Sequence, residues 1–238
     1  MNAFVAEMMG TTLLITLGNG VVANVVLDKT KGNNGGLIAI TFGWAMAVFV
    51  GVFTTANVSG AHLNPAVTIG LAVIGKFSWA LVPAYFLAQL IGSMLGALLV
   101  WIIYRHHFNE TKDAALNLAV FSTAPSIRNA QQNFLTEFLA TFIFLLVVLF
   151  ITKSTNSLGS IDALPVALVV LAIGLSLGGP TGYAINPVRD LGPRIMHSLL
   201  PIKHKGSSDW KYAWIPIIAP VAGAIAAAIF YQLLTATN

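Results

Sequence analysis

Ser59-Gly60-Ala61-His62-Leu63-Asn64-Pro65-Ala66-Val67-Thr68 is the stretch whose reading decides the fold. Its echo in the second half of the chain is Thr181-Gly182-Tyr183-Ala184-Ile185-Asn186-Pro187-Val188-Arg189-Asp190. Both run from a loop of small residues through Asn-Pro into an apolar segment. Asn is a strong N-cap, and Pro suits the first helical position, where a backbone N–H would lack an intrahelical partner. Each stretch is therefore predicted to be a loop that turns into a helix at its asparagine. One Asn-Pro caps many ordinary helices. Two in matching contexts carry much more information.

The surrounding composition places both copies in a membrane. Hydrophobic residues make up 57% of the 238-residue chain and charged residues 8%, against roughly 25% charged in soluble domains. Apolar runs fall at 3–27, 37–57, 80–104, 134–152, 163–178 and 212–234, each near the ~20 residues that span a bilayer. Between the second and third lies the shorter stretch 64–74, and between the fifth and sixth lies 186–200. Such short helices reach only about half of a ~30 Å hydrocarbon core. They are read as re-entrant half-helices, and their loops must be lined by protein or water.

The chain also repeats itself. Phe4-Val5-Ala6-Glu7-Met8-Met9-Gly10-Thr11 matches Phe134-Leu135-Thr136-Glu137-Phe138-Leu139-Ala140-Thr141, and each opens a set of three spans and one half-helix. Three is odd, so the sets take opposite topology, as in inverted-repeat transport proteins. The expected organisation is a single membrane domain over 1–238, with repeats at about 1–105 and 134–238 and a connector at 106–133. Residues 1–9 lack a basic region and Glu7 interrupts the apolar run, so no cleavable signal is expected. There is no cysteine for disulfides or thiolate metal sites. The net charge of +4 is spread over loops, which argues against nucleic-acid binding.

These motifs resemble the aquaporin and glycerol-facilitator (major intrinsic protein) family of channels, and most closely its glycerol-facilitator branch. The resemblance covers nearly the whole chain. Ser-Gly-Ala-His-x-Asn-Pro-Ala-Val-Thr is a specific signature, and the second copy departs from the usual Asn-Pro-Ala only at Val188. The resemblance implies an all-α membrane protein with six transmembrane helices and two half-helices meeting at Asn64 and Asn186. It further implies a homotetramer in the cell membrane, both termini cytoplasmic, with no cofactor and no catalysis. On that topology only Lys76 and Lys153 of the twelve Lys and Arg lie on the inner side. The positive-inside rule favours the opposite arrangement. The motifs carry the assignment.

Asn64-Pro65-Ala66 and Asn186-Pro187-Val188 set two helix N-termini face to face, each with about +0.5 charge, which repels cations and protons. A central arginine costs on the order of 2.5–3.5 kcal/mol even on lenient insertion scales, so Arg189 should face a wet cavity. By the resemblance it is the fixed cation of a selectivity filter, and register adds Trp44, Gly174 and Tyr183 as its partners. Glycerol-conducting members hold tryptophan, glycine and an aromatic residue there, whereas water-only members tend to hold Phe, His and a small residue. Two aromatic faces suit a carbon backbone, Arg189 suits hydroxyls, and Gly174 leaves room that an imidazole would fill.

Glu7 and Glu137 are buried carboxylates that need partners, and the resemblance makes them supports for the two Asn-Pro loops. Asp190 is expected to brace its loop through backbone N–H groups. His62 lies beside the path, either offering a nitrogen to the lumen or satisfied in the core. Arg105-His106-His107 with Glu110 is read as a solvated loop rather than a metal site.

The function this implies is a passive channel for glycerol and other small uncharged solutes, with water, excluding ions and protons. The alternatives are a water-selective pore, or a facilitator for another neutral solute such as urea, peroxide or a protonated small acid. From a different class, an ion-coupled secondary transporter would want a lumenal coupling carboxylate, and both buried ones are already assigned to loops. An enzyme finds no support in any nucleophile–base pair or metal triad.

Overall fold

The computed structural model describes residues 1–151 and 157–236; Lys153, one of the two cations expected on the inner side, lies outside them. The described residues form helices and loops, with no strand. Six helical segments are long and apolar enough to cross a bilayer: Ala3–Val26, Gly36–Ser59, Trp79–Glu110, Ala130–Phe150, Gly159–Leu177 and Trp214–Thr235. The regular α-helices are α1 (Ala3–Val26), α2 (Gly36–Ser59), α3 (Pro65–Val73), α4 (Val82–Glu110), α5 (Ala114–Ala119), α6 (Ala130–Phe150), α7 (Leu164–Leu177), α8 (Pro187–Leu199) and α9 (Trp214–Thr235). Short 3-10 turns at Trp79–Leu81 and Gly159–Ala163 lead into α4 and α7.

The half-helices α3 and α8 are 9 and 13 residues long, about 14 and 20 Å at 1.5 Å per residue. Neither crosses the core. Each begins at its asparagine: Asn64 Oδ1 accepts from Ala66 N at 2.9 Å, and Asn186 Oδ1 accepts from Val188 N at 3.2 Å. The missing methyl-for-methyl match at Val188 leaves this cap intact, because the cap uses only the asparagine and the backbone.

Chain order and packing interleave the two halves. Within the first half α1 packs against α2 and α4, and within the second α6 packs against α9. The half-helices reach across: α3 lies on α9 and α8 lies on α4, while α2 packs against α7. Close approach comes from small residues, as expected where lipid supplies no hydrophobic drive between helices. A Cβ at Gly96 would sit 2.8 Å from Thr12 O, and one at Gly92 would run into the backbone of Met8. The tract Gly92–Gly96 is thus spent inside the chain, against α1.

Two helix ends differ from the apolar pattern. The third span stays helical to Glu110, so Arg105, His106 and His107 form its last turns rather than a loop. A helix satisfies its own backbone and continues past the hydrocarbon edge wherever nothing stops it. Arg105 lies over the Trp101 ring at 5.2 Å, His107 Nδ1 is 3.0 Å from Asp28 O, and Glu110 pairs with Lys29. The fourth span starts at Ala130, because Asn129 caps it by accepting from Gln132 N at 3.0 Å. Hydropathy marks the crossing; capping marks the helix.

Candidate functional site

The two Asn-Pro loops share one unusual backbone. Gly60 and Gly182 both have φ +84°, followed by left-handed Ala61 (49°) and Leu63 (50°) in one loop and Tyr183 (39°) and Ile185 (43°) in the other. Left-handed non-glycine residues cost on the order of 1–3 kcal/mol each and persist only where the surroundings hold them. A buried glutamate holds each loop. Glu7 accepts from His62 N (2.9 Å), Leu63 N (2.8 Å), Ser59 Oγ (2.7 Å) and Gln89 Nε2 (2.8 Å). Glu137 accepts from Ala184 N (3.0 Å) and Ile185 N (3.1 Å). Charge-assisted bonds of this kind are about twice as strong as neutral ones. Both carboxylates are fully buried.

The loops also bond each other. Asn64 Nδ2 donates to Ile185 O at 2.9 Å, and Asn186 Nδ2 donates to Leu63 O at 2.9 Å. Each amide therefore uses one N–H on the opposite loop and keeps the other.

Two cavities lie beside these loops. One, of about 410 Å³, opens on the side of the chain termini and is lined by Asn64, Asn186, His62 and apolar residues of α1, α2, α6 and α7. The other, of about 500 Å³, lies on the opposite side, between Val22, Val26 and Ile40 on one wall and Ser122, Thr123 and Asp209 on the other. Trp44, Tyr183 and Arg189 line both. These three are the lining residues that the two cavities have in common. The Arg189 guanidinium carbon lies 4.2 Å from the centre of the Trp44 ring. Arg189 Nη1 and Trp44 Nε1 are buried donors with no partner in the chain. Unpaired buried donors are costly, and here they border space that water or a solute can fill.

Gly174 reaches this site indirectly. It lines neither cavity, and the place a Cβ would take is occupied by the Thr41 methyl and by the Tyr183 ring, whose Cζ would lie at 2.9 Å. The Tyr183 hydroxyl donates to Thr41 Oγ1 at 3.5 Å. The room left by the glycine is thus filled by a protein ring rather than left open. Gly178, one turn on, receives the same ring: a Cβ there would be 2.9 Å from Tyr183 Cε1.

Asp190 does not brace its own loop. Its carboxylate accepts from Thr123 N (2.8 Å), Thr123 Oγ1 (2.7 Å) and Arg194 Nε (2.7 Å), so it ties α8 to the segment after α5. The N–H groups of its own loop are already taken by Glu137. Arg194, fully buried, also donates to Thr123 O, Ser208 O and Asp209 O at 3.0, 2.7 and 3.1 Å. Asp209 in turn pairs with Arg128 at 2.5 Å, and that hydrogen bond raises the pKa of the Arg128 guanidinium. The Thr123, Arg128 and Asp209 wall of the 500 Å³ cavity is held by this chain of charges. His62 points to neither extreme expected of it: Nδ1 is 3.1 Å from Thr68 Oγ1 and the ring packs on Phe77 and Tyr85, yet the residue lines the cavity.

Sequence reading missed Arg194, Thr123, Gln89 and Thr41. Only Arg194 had a local signal, since it lies one helical turn from Asp190 where opposite charges meet. Among the described residues no group of His, Asp or Glu is placed to hold a metal ion.

The chain matches the model of the major intrinsic protein family over residues 1–231. It is 52% identical over 234 residues to a probable glycerol uptake facilitator protein of Thermotoga maritima, covering 98% of this chain and 100% of that one. It is 51% identical to the glycerol uptake facilitator protein of Streptococcus pneumoniae, covering 98% and 99%. The solved aquaglyceroporin from Plasmodium falciparum superposes with a TM-score of 0.87 at 34% identity, covering 99% of this chain and 97% of that chain. With a half-helix entering from each side, paired asparagine caps and relatives of this kind, the chain belongs to the major intrinsic protein family.

Proposed function

We propose that this protein is a passive channel for glycerol and other small uncharged solutes, with water, and that it excludes ions and protons. The observation that carries this reading is the set of residues shared by the two cavities, which we take as the constriction. Two aromatic side chains, Trp44 and Tyr183, and one cation, Arg189 with a free Nη1, line both cavities. A polyol slides its carbon edge along the rings while its hydroxyls take hydrogen bonds from Arg189. Water alone has no use for the apolar walls. The relatives named glycerol uptake facilitators support the same choice. A strictly water-selective pore fits less well, because Tyr183 occupies the space beside Gly174 where an imidazole would add a polar wall.

Ion exclusion rests on three positive terms around the junction: the N-termini of α3 and α8 and the Arg189 guanidinium. In this reading Glu7 and Glu137 are loop supports and carry no coupling ion, so transport is linear in solute gradient. The protein works in the cell membrane with both termini cytoplasmic, as a homotetramer.

The test is stopped-flow light scattering on proteoliposomes, comparing shrinkage and reswelling in glycerol with shrinkage in an impermeant osmolyte. Glycerol permeability well above protein-free vesicles, unsaturated and independent of ion gradients, supports the channel. Water permeability with glycerol at the protein-free level sinks the glycerol reading, and saturable, ion-driven uptake sinks the channel.

A further inference from the structure

The aromatic ring of Trp44 packs against a position on α1 that has no side chain. Its six-membered edge rests directly on Gly18 of α1. A Cβ at Gly18 would meet three ring carbons of Trp44, with Cη2 at 2.5 Å and Cε3 and Cζ3 closer still. Carbon atoms pack at roughly 3.5–4.0 Å, so a methyl here requires the ring to retreat by on the order of 1 Å. The α1 backbone cannot yield, because α1 is itself clamped: Gly92 and Gly96 of α4 abut its backbone on another face, and Gly10 receives Leu63 and Thr55. The ring itself borders both cavities and carries the Arg189 guanidinium 4.2 Å from its centre. A side-chain ring shifts more readily than a clamped helix backbone, and the open space that Trp44 borders is that of the two cavities.

We propose that Gly18 is a specificity-determining positioning residue: by lacking a side chain it lets Trp44 withdraw into the wall, and this sets how wide a solute the constriction admits. The assignment rests on the glycerol-channel reading above and adds a residue that touches no solute. Gly20, two positions on, provides an internal control, since a Cβ there meets nothing within 4 Å. Both substitutions exchange glycine for a better helix former, so their effects on α1 itself are alike.

The experiment compares wild type, Gly18→Ala, Gly20→Ala and Gly18→Ala/Trp44→Phe in proteoliposomes, reading glycerol and water permeability per amount of folded protein. A single added methyl in a close-fitting site is worth about tenfold in discrimination. The expected result is a fall of about tenfold in the glycerol-to-water ratio for Gly18→Ala, none for Gly20→Ala, and recovery of the ratio when the shorter phenyl replaces the indole. An unchanged ratio in folded Gly18→Ala overturns the proposal. So does a fall that Trp44→Phe does not relieve, because the effect then does not run through that ring. Failure of Gly18→Ala to fold while Gly20→Ala folds normally also overturns it, since the ring would then have no lumenal position to take. A wild type no more permeable to glycerol than empty vesicles would instead sink the glycerol reading, an outcome separate from these.

Discussion

Asn64 and Asn186 are stitched together reciprocally: each side-chain amide donates to the carbonyl just before the other asparagine, both at 2.9 Å. Each side-chain oxygen meanwhile caps its own half-helix. One side chain thus performs three tasks: it starts a helix, fastens the opposite loop and retains one N–H for the cavity it lines. No other residue type does all three, because Asp and Ser cap equally well but Asp has no donor and Ser has only one.

Asn64→Asp separates those tasks. The cap survives, whereas the bond to Ile185 O is lost and a carboxylate faces a carbonyl. The expected loss is about 1–3 kcal/mol of stability, read as a lowered unfolding temperature of the detergent-solubilised protein. The added negative charge also offsets the helix-terminus field, so cation leak should rise in a vesicle flux assay. A variant as stable and as tight as wild type would show that the cross-loop bond and the local charge are dispensable.

Arg189→Val removes a buried cation that stacks on Trp44. Solute flux should persist, because the two aromatic walls, Trp44 and Tyr183, stay in place and Val takes less room than the guanidinium it replaces. Protons or small cations should now pass, measured as dissipation of a pH gradient or as conductance in planar bilayers. If cation conductance stays at background, the N-termini of α3 and α8 exclude ions unaided.

Gly174→His must displace something, since the Thr41 methyl and the Tyr183 ring already fill its side-chain space. The imidazole is expected to push Tyr183 into the constriction and lower the glycerol-to-water permeability ratio by about tenfold, roughly 1.4 kcal/mol of barrier. Pairing it with Tyr183→Ala should restore folded yield and leave a water-preferring pore. An unchanged ratio in a well-folded single variant would mean that Tyr183 finds another seat outside the lumen.

Asp190→Ala leaves Arg194 fully buried without its carboxylate. Removing one partner of a buried pair costs about 3–5 kcal/mol, and the same change frees Thr123 N. Folded yield and unfolding temperature should drop sharply. Arg128→Ala, at the exposed end of the same chain of charges, should cost no more than about 1 kcal/mol. Equal effects from the two would contradict the burial of the Asp190–Arg194 pair.

What the sequence by itself determined is everything carried by one segment at a time. Crossing helices follow from apolar runs of spanning length, and half-helices from runs too short to span. The caps at Asn64 and Asn186 follow from Asn-Pro, whose effect ends within a turn. The need of Glu7 and Glu137 for partners follows from a charge placed inside an apolar helix. Helix ends at Glu110 and Ala130 escaped that reading, because hydropathy stops at the membrane edge and hydrogen bonding does not. Only the tertiary structure decided who fills the space beside Gly174, which loop Asp190 holds, that Arg194 ties the segments at Thr123 and Ser208–Asp209 together, and that Trp44 lies on Gly18. Each is a contact between segments far apart in the chain, as in Tyr183 and Thr41, 142 residues apart. Absent side chains explain the rest. A glycine in the sequence states that a space exists, and only the packing of the other helices determines which ring, methyl or solute takes it.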